Sequence, residues 1–143
     1  MQVPPNSDLT LGMVCVDKSV PGRCSWRMTA HERFANPAGT MQGGFLAAFA
    51  DSSMGAAAVT FVQGRKVFSA NAEMKISFLA PVQPGDILTC TAEVVSGGST
   101  VAFVEASIFA GTRAYSGDAS TAGAEAGRLV ARANSTYIFR SRD

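Results

Sequence analysis

Histidine is nearly absent from this chain, with His31 the only one in 143 residues. That scarcity excludes His-based catalytic triads in all but one position and removes His-rich metal sites. Cysteine is scarce too. Cys15, Cys24 and Cys90 are odd in number, scattered and without metal-ligand spacing, so reduced, half-buried thiols are expected rather than a disulfide framework or a bound metal. Charge is thin: 16% of residues, with a formal net charge of +1 and no basic block, which argues against a nucleic-acid partner. No uninterrupted apolar run approaches the ~18 residues of a membrane span, so no membrane partner is expected. The opening MQVPPNSDLT has neither a basic cluster nor an apolar stretch of the secretory kind, and a cytoplasmic protein is the expectation. What the chain does have is an ordinary globular composition, 47% hydrophobic, at a length that suits one domain (1–143) with a real core.

Residues 1–10 read as a loose arm. Leu11–Val16 and Arg23–Thr29 read as two strands joined through Pro21-Gly22, with Cys24, Trp26 and Met28 alternating against Ser25, Arg27 and Thr29. Phe68, Ala70, Ala72, Met74, Ile76 and Phe78 alternate with Ser69, Asn71, Glu73, Lys75 and Ser77, the clearest strand in the chain. Ile87–Val95 and Thr100–Ala110 form a hairpin across Ser96-Gly97-Gly98-Ser99, and Leu129–Phe139 is a last strand. Gly111–Gly127 has no clear period and is long for a loop within a domain. Strands joined mostly as hairpins around one helix make an α+β protein, a curved antiparallel sheet wrapped around a long central helix.

That helix begins near Gln42, Gly43 and Gly44 and runs to about Gly64, after a loop from Asn36 to Met41. Small residues dominate it, so it is expected to be buried on nearly all sides. Asp51 is the one charged side chain between Arg33 and Arg65. A lone carboxylate in so apolar a helix calls for an explanation.

Asn36, then Met41, Gln42-Gly43-Gly44 and Asp51 within the helix resemble the pattern of the hotdog-fold acyl-CoA thioesterases, in particular their phenylacetate-type (PaaI-like) branch. Asn71–Pro81 (NAEMKISFLAP) is similar to that family's strand ending in Phe-Leu-x-Pro, and Gly127–Phe139 to its closing strand. Gln42 stands where the family usually has His, and Gly111–Gly127 is longer than its usual turn. The resemblance implies a hotdog fold and hydrolysis of an acyl-CoA thioester of medium-chain or aromatic type. It implies no cofactor, since coenzyme A is part of the substrate. It also implies that Asn36 and Ser69 orient thioester and water, that Gly43 polarises the carbonyl and that Asp51 is the catalytic carboxylate. Gln42, Asn71, Gly97, Gly98 and Ser99 are the candidate coenzyme A contacts, and Met41, Phe45 and Phe68 the candidate walls of an acyl pocket.

Physical chemistry gives these roles content. Backbone N–H groups at a helix N-terminus lack intrahelical partners and carry the positive end of the helix dipole, which makes Gly43 a candidate oxyanion-hole residue. Asp51 would act as general base or nucleophile. Eight residues separate the two, about 12 Å at ~1.5 Å per residue, too far for one thioester carbon to touch both. If both serve one reaction, they come from different subunits, and the protein is at least a homodimer, with a homotetramer expected. Alternation along the strand turns Ser69 away from the Phe68/Ala70 face, toward solvent. A hydratase or dehydratase would need a His–acid pair, and His31 lies in no matching motif. An acyl-CoA-binding protein without turnover is the remaining alternative, kept open by Gln42.

Overall fold

The computed structural model describes residues 2–111 and 127–142. The Gly111–Gly127 loop expected from the sequence falls almost wholly outside these described residues. The order of elements is α1 (Asn6–Leu11), β1 (Val14–Asp17), β2 (Arg23–Thr29), a 3-10 turn (Glu32–Phe34), α2 (Gly43–Phe61), β3 (Val67–Phe78), β4 (Ile87–Gly97), β5 (Val101–Gly111) and β6 (Arg128–Ser141). Six strands pair antiparallel in the order β1-β2-β4-β5-β6-β3, so β3 is an edge strand although it lies mid-chain. This is the hotdog fold.

The sheet curls around α2. Leu46, Phe49, Ala50, Ser53, Met54, Ala57 and Ala58 are buried against it, a run at three-and-four spacing that marks one face of the helix. Ala50, Ala57 and Ala58 let the backbone lie close to the strands, and Leu88, Ile108 and Val130 fill the space opposite. By length and composition the 19-residue helix, with hydropathy 1.2, would also pass as a membrane span. Its apolarity has another use here, as the core of a wrapped sheet.

Three expectations need correction. The helix is not buried on all sides: Gly44, Ala48, Asp51 and Val59 are exposed, with Gly55 half-buried between them, forming a stripe that the chain's own sheet leaves open. Small apolar residues on both faces hide that asymmetry from the sequence. Residues 1–10 are not a loose arm throughout, because α1 packs on α2. There Asp8, largely buried, accepts a hydrogen bond from the Ser52 hydroxyl at 2.9 Å, and Gly12 in the left-handed region (φ 70°) closes the turn.

The third correction concerns β3. Asn71 pairs with Tyr137 and Glu73 with Thr136, so Ala72 is an extra residue, a β-bulge. A bulge reverses which parity faces inward. Before it Val67, Ser69 and Asn71 face the helix and Phe68, Ala70 and Ala72 face out; after it Met74 and Ile76 face in. Unbroken alternation, which would turn Ser69 to solvent and Phe68 inward, does not hold. Phe68 is 52% exposed under the Arg142 guanidinium, at the far end of α2 from Gly43, so it does not wall a pocket at the helix start.

Cys24 and Cys90 are buried and free, and burial pushes each thiol up to about 12. Cys24 donates to the Ser53 carbonyl at 3.0 Å. We expect a thiol reagent at pH 8 to modify Cys15 slowly and leave Cys24 and Cys90 untouched until denaturant is added. Rapid labelling of all three in the native protein would contradict the packing described.

Candidate active site

The loop before α2 is shaped by Asn36. Its Oδ1 accepts from the N–H of Ala38 at 3.0 Å and of Thr40 at 3.2 Å, and its Nδ2 donates to Thr40 Oγ1 at 3.0 Å. The backbone closes the same turn, with Asn36 N–H on Thr40 O at 2.7 Å and Gly39 N–H on Asn36 O at 2.9 Å. Gly39 at φ +82° supplies a conformation other residues reach only with strain. Both ends of the Asn36 amide are thus engaged inside the loop.

Past the turn, Met41 N–H donates to Val82 O at 2.9 Å and Gln42 N–H to Phe34 O at 2.8 Å, which aims the chain into the helix. Gln42 is the N-cap and makes no side-chain cap. Phe45 N–H bonds back to Gln42 O at 3.1 Å, and the intervening N–H groups of Gly43 and Gly44 have no acceptor within the helix. The Phe78 ring lies on Gly43: a Cβ added there would stand 2.8 Å from Phe78 Cζ. A side chain at Gly43 would have to push the exposed Phe78 ring aside at the point where a ligand oxygen would approach.

Two turns further on, the Asp51 carboxylate is held through one oxygen. Asn71 Nδ2 donates to Oδ1 at 2.7 Å, and the Tyr137 hydroxyl lies 2.7 Å from the same atom and 2.9 Å from the Asp51 carbonyl. Asn71 Nδ2 is also 3.2 Å from Ser135 Oγ, while its Oδ1 is buried without a partner. The Tyr137 ring is buried, and burial first, then the bond with Asp51, push its phenol well above the usual range, so it stays protonated as a donor.

The remaining candidates lie toward the other end of α2. The Ser69 hydroxyl faces inward, buried and without a partner, in the wall of a cavity of about 270 Å³ that Val59, Val62, Val67, Arg65 and Arg142 also line. The β4–β5 turn is packed there as well: Gly97 lies against the Phe61 ring, and Arg65 Nη2 donates to Ser99 O at 2.6 Å. Gly98 N–H closes the hairpin onto Val101 O at 2.9 Å. One chain thus gathers Asp51, Asn71 and Tyr137, sets Asn36, Gln42 and Gly43 at the helix start, and sets Gly97, Gly98 and Ser99 beyond the helix end. His31 accepts from Arg33 N–H at 3.1 Å and belongs to a turn.

The sequence model of the thioesterase superfamily matches residues 38–116, more than half the chain. The chain belongs to the thioesterase superfamily. It is a thioester hydrolase of the PaaI-like hotdog type. Human acyl-coenzyme A thioesterase 13 is 29% identical over 98 residues, covering 68% of this chain and 69% of that protein. Among solved structures, a phenylacetic acid degradation-related protein from Ralstonia eutropha is 27% identical, with a TM-score of 0.76 over 96% of this chain and 92% of that one. PaaI from Escherichia coli, at 20% identity, shares the fold with a TM-score of 0.80 over 96% of this chain and 86% of its own.

Two residues of this thioesterase escape a motif-based reading, Tyr137 and Phe78. A signal for Tyr137 exists: it sits in the inward row Ala131, Ala133, Ser135, Tyr137, Phe139 of β6, and a phenol in such a row needs a polar partner. Phe78 lies on the strand that returns past the helix start. Because an added Cβ at Gly39 meets nothing within 4 Å, Gly39→Ala should cost stability through backbone strain alone, roughly 1–2 kcal/mol. A thermal unfolding midpoint unchanged from wild type would show that the Asn36 turn does not need φ > 0.

Proposed function

We propose that this thioesterase cleaves an acyl-coenzyme A carrying a medium-chain or aromatic acyl group, releasing free acid and coenzyme A. The observation that carries the reading is Asp51: the one charged side chain of α2, exposed on the face that the chain's own sheet leaves open, with Oδ1 held by two donors. Names among the relatives support this substrate class. The human relative is an acyl-coenzyme A thioesterase, and the Ralstonia relative is linked to breakdown of an aromatic acid.

Gly43 and Asp51 stand about 12 Å apart along one helix. The reading therefore pairs Gly43 of one subunit with Asp51 of another, across an interface built from the open stripe of α2 and the edge of β3. A homodimer is the smallest active unit, and a homotetramer the assembly expected. The Gly43 N–H polarises the carbonyl, with Asn36 shaping the loop beside it. Asp51 takes a proton from the attacking water or attacks the carbonyl carbon itself. In both routes the C–S bond breaks, and the thiolate leaves and is protonated; where Asp51 attacks, the acyl–Asp51 anhydride is then hydrolysed by water, which releases the free acid and restores the carboxylate. Ser69, with its unsatisfied hydroxyl on the same strand face as Asn71, is the further group for placing water. Gln42 and the Gly97-Gly98-Ser99 turn are the coenzyme A contacts; Asn71, given its bond to Asp51, supports the carboxylate as well.

A non-catalytic acyl-CoA-binding protein is the second reading. Gln42 in place of His and the Phe78 ring over Gly43 favour it, since both bear on access to the carbonyl site.

Thiol release from short, long, phenylacetyl and hydroxybenzoyl-CoA distinguishes the two. We expect turnover of at least one member, reduced ~10²-fold or more in Asp51→Asn. Gly43→Ala should lose a comparable factor, through hindered approach to the N–H and displacement of the Phe78 ring. Tight binding of acyl-CoA by the wild type with no thiol released would select the binding protein instead.

A further inference from the structure

We propose that Tyr137 is a positioning residue: with Asn71 it pins Asp51 through Oδ1 and so commits Oδ2 to the reacting water or carbonyl. The proposal rests on Asp51 being the working carboxylate, as read above. Its basis is convergence. Two donors from two strands reach one oxygen at 2.7 Å each, the length of charge-assisted hydrogen bonds, and among the described residues Oδ2 has no partner.

The sheet explains how the pair meets. Asn71 and Tyr137 are direct cross-strand neighbours of β3 and β6, so their side chains share a face and stand side by side beneath Asp51. The bulge at Ala72 follows at once. It allows Asn71 to face the helix here while Met74 and Ile76 still face the core further along. The Tyr137 ring is buried at 3% exposure, so its rotamer is fixed by packing and its hydroxyl is delivered to a set place. An exposed aspartate without such pins would sample several rotamers, and only a fraction would present an oxygen to the thioester.

The single phenolic proton can serve either Asp51 Oδ1 or the Asp51 carbonyl, at 2.7 and 2.9 Å. The carboxylate is the stronger acceptor of the two. The titratable groups facing this part of α2 are few: Tyr137 from β6, Cys24 from β2, Cys90 from β4 and Asp8 from α1, the last through Ser52. Both thiols are raised to about 12 and remain neutral in the working range.

Tyr137→Phe removes the hydroxyl and keeps the ring. We expect kcat to fall about 10-fold with KM little changed, the signature of a group that orients rather than binds. The carbon-13 NMR signal of the Asp51 carboxyl, recorded at one pH, reads the lost hydrogen bond without turnover. Asn71→Ala, which withdraws the other pin, should move both readouts in the same direction and serves if Tyr137→Phe fails to fold. Wild-type kcat and an unmoved Asp51 carboxyl signal in Tyr137→Phe, with Asp51→Asn inactive, would overturn the proposal and leave Tyr137 as packing only. Full activity in Asp51→Asn would instead overturn the reading beneath it.

Discussion

Everything functional in this protein depends on how α2 lies in its sheet: one face buried, the other uncovered. Buried alanines bring the helix backbone close to the strands, and Phe49 and Met54 fill the deepest positions. That packing fixes the helix axis, and with it the separation between the N–H groups of Gly43 and the carboxylate of Asp51. Because the distance along a helix is set by its rise per residue, no side-chain adjustment can bring the two together. The proposed site between copies is the geometry that would use both.

The second constraint is electrostatic. An apolar helix tolerates a carboxylate only where it stays solvated or receives donors, and Asp51 has both conditions. It lies on the open stripe, and one of its oxygens is met by Asn71 and Tyr137. The same sheet that excludes water from Phe49 thus presents two polar groups one strand-pair wide. The ring of Tyr137 belongs to the core, while its hydroxyl reaches Asp51.

Much of this architecture was legible in the chain. The alternation of the strands, the Ser96–Ser99 hairpin and the small-residue helix opening at Gly43 were all readable, and the strand boundaries differ from expectation by a few residues at most. Asp51 stood out through isolation alone. Three features were not legible, each for a physical reason. The α1 helix is six residues long and held by tertiary contacts with α2 rather than by propensity. The open stripe of α2 has the same composition as the covered face. The Ala72 bulge leaves no compositional mark, since the residues around it alternate as a regular strand would.

By itself, then, the sequence determined the class of fold, the thioesterase pattern and the identity of the lone carboxylate, because periodicity, glycine placement and charge are local properties of the chain. The tertiary structure alone decided what surrounds that carboxylate. A one-residue bulge set which side of β3 looks at the helix, and the pairing of β3 with a strand more than fifty residues later brought Tyr137 beside Asn71. Contacts between residues so distant in sequence follow from sheet register, and register is fixed only when the whole sheet closes around the helix.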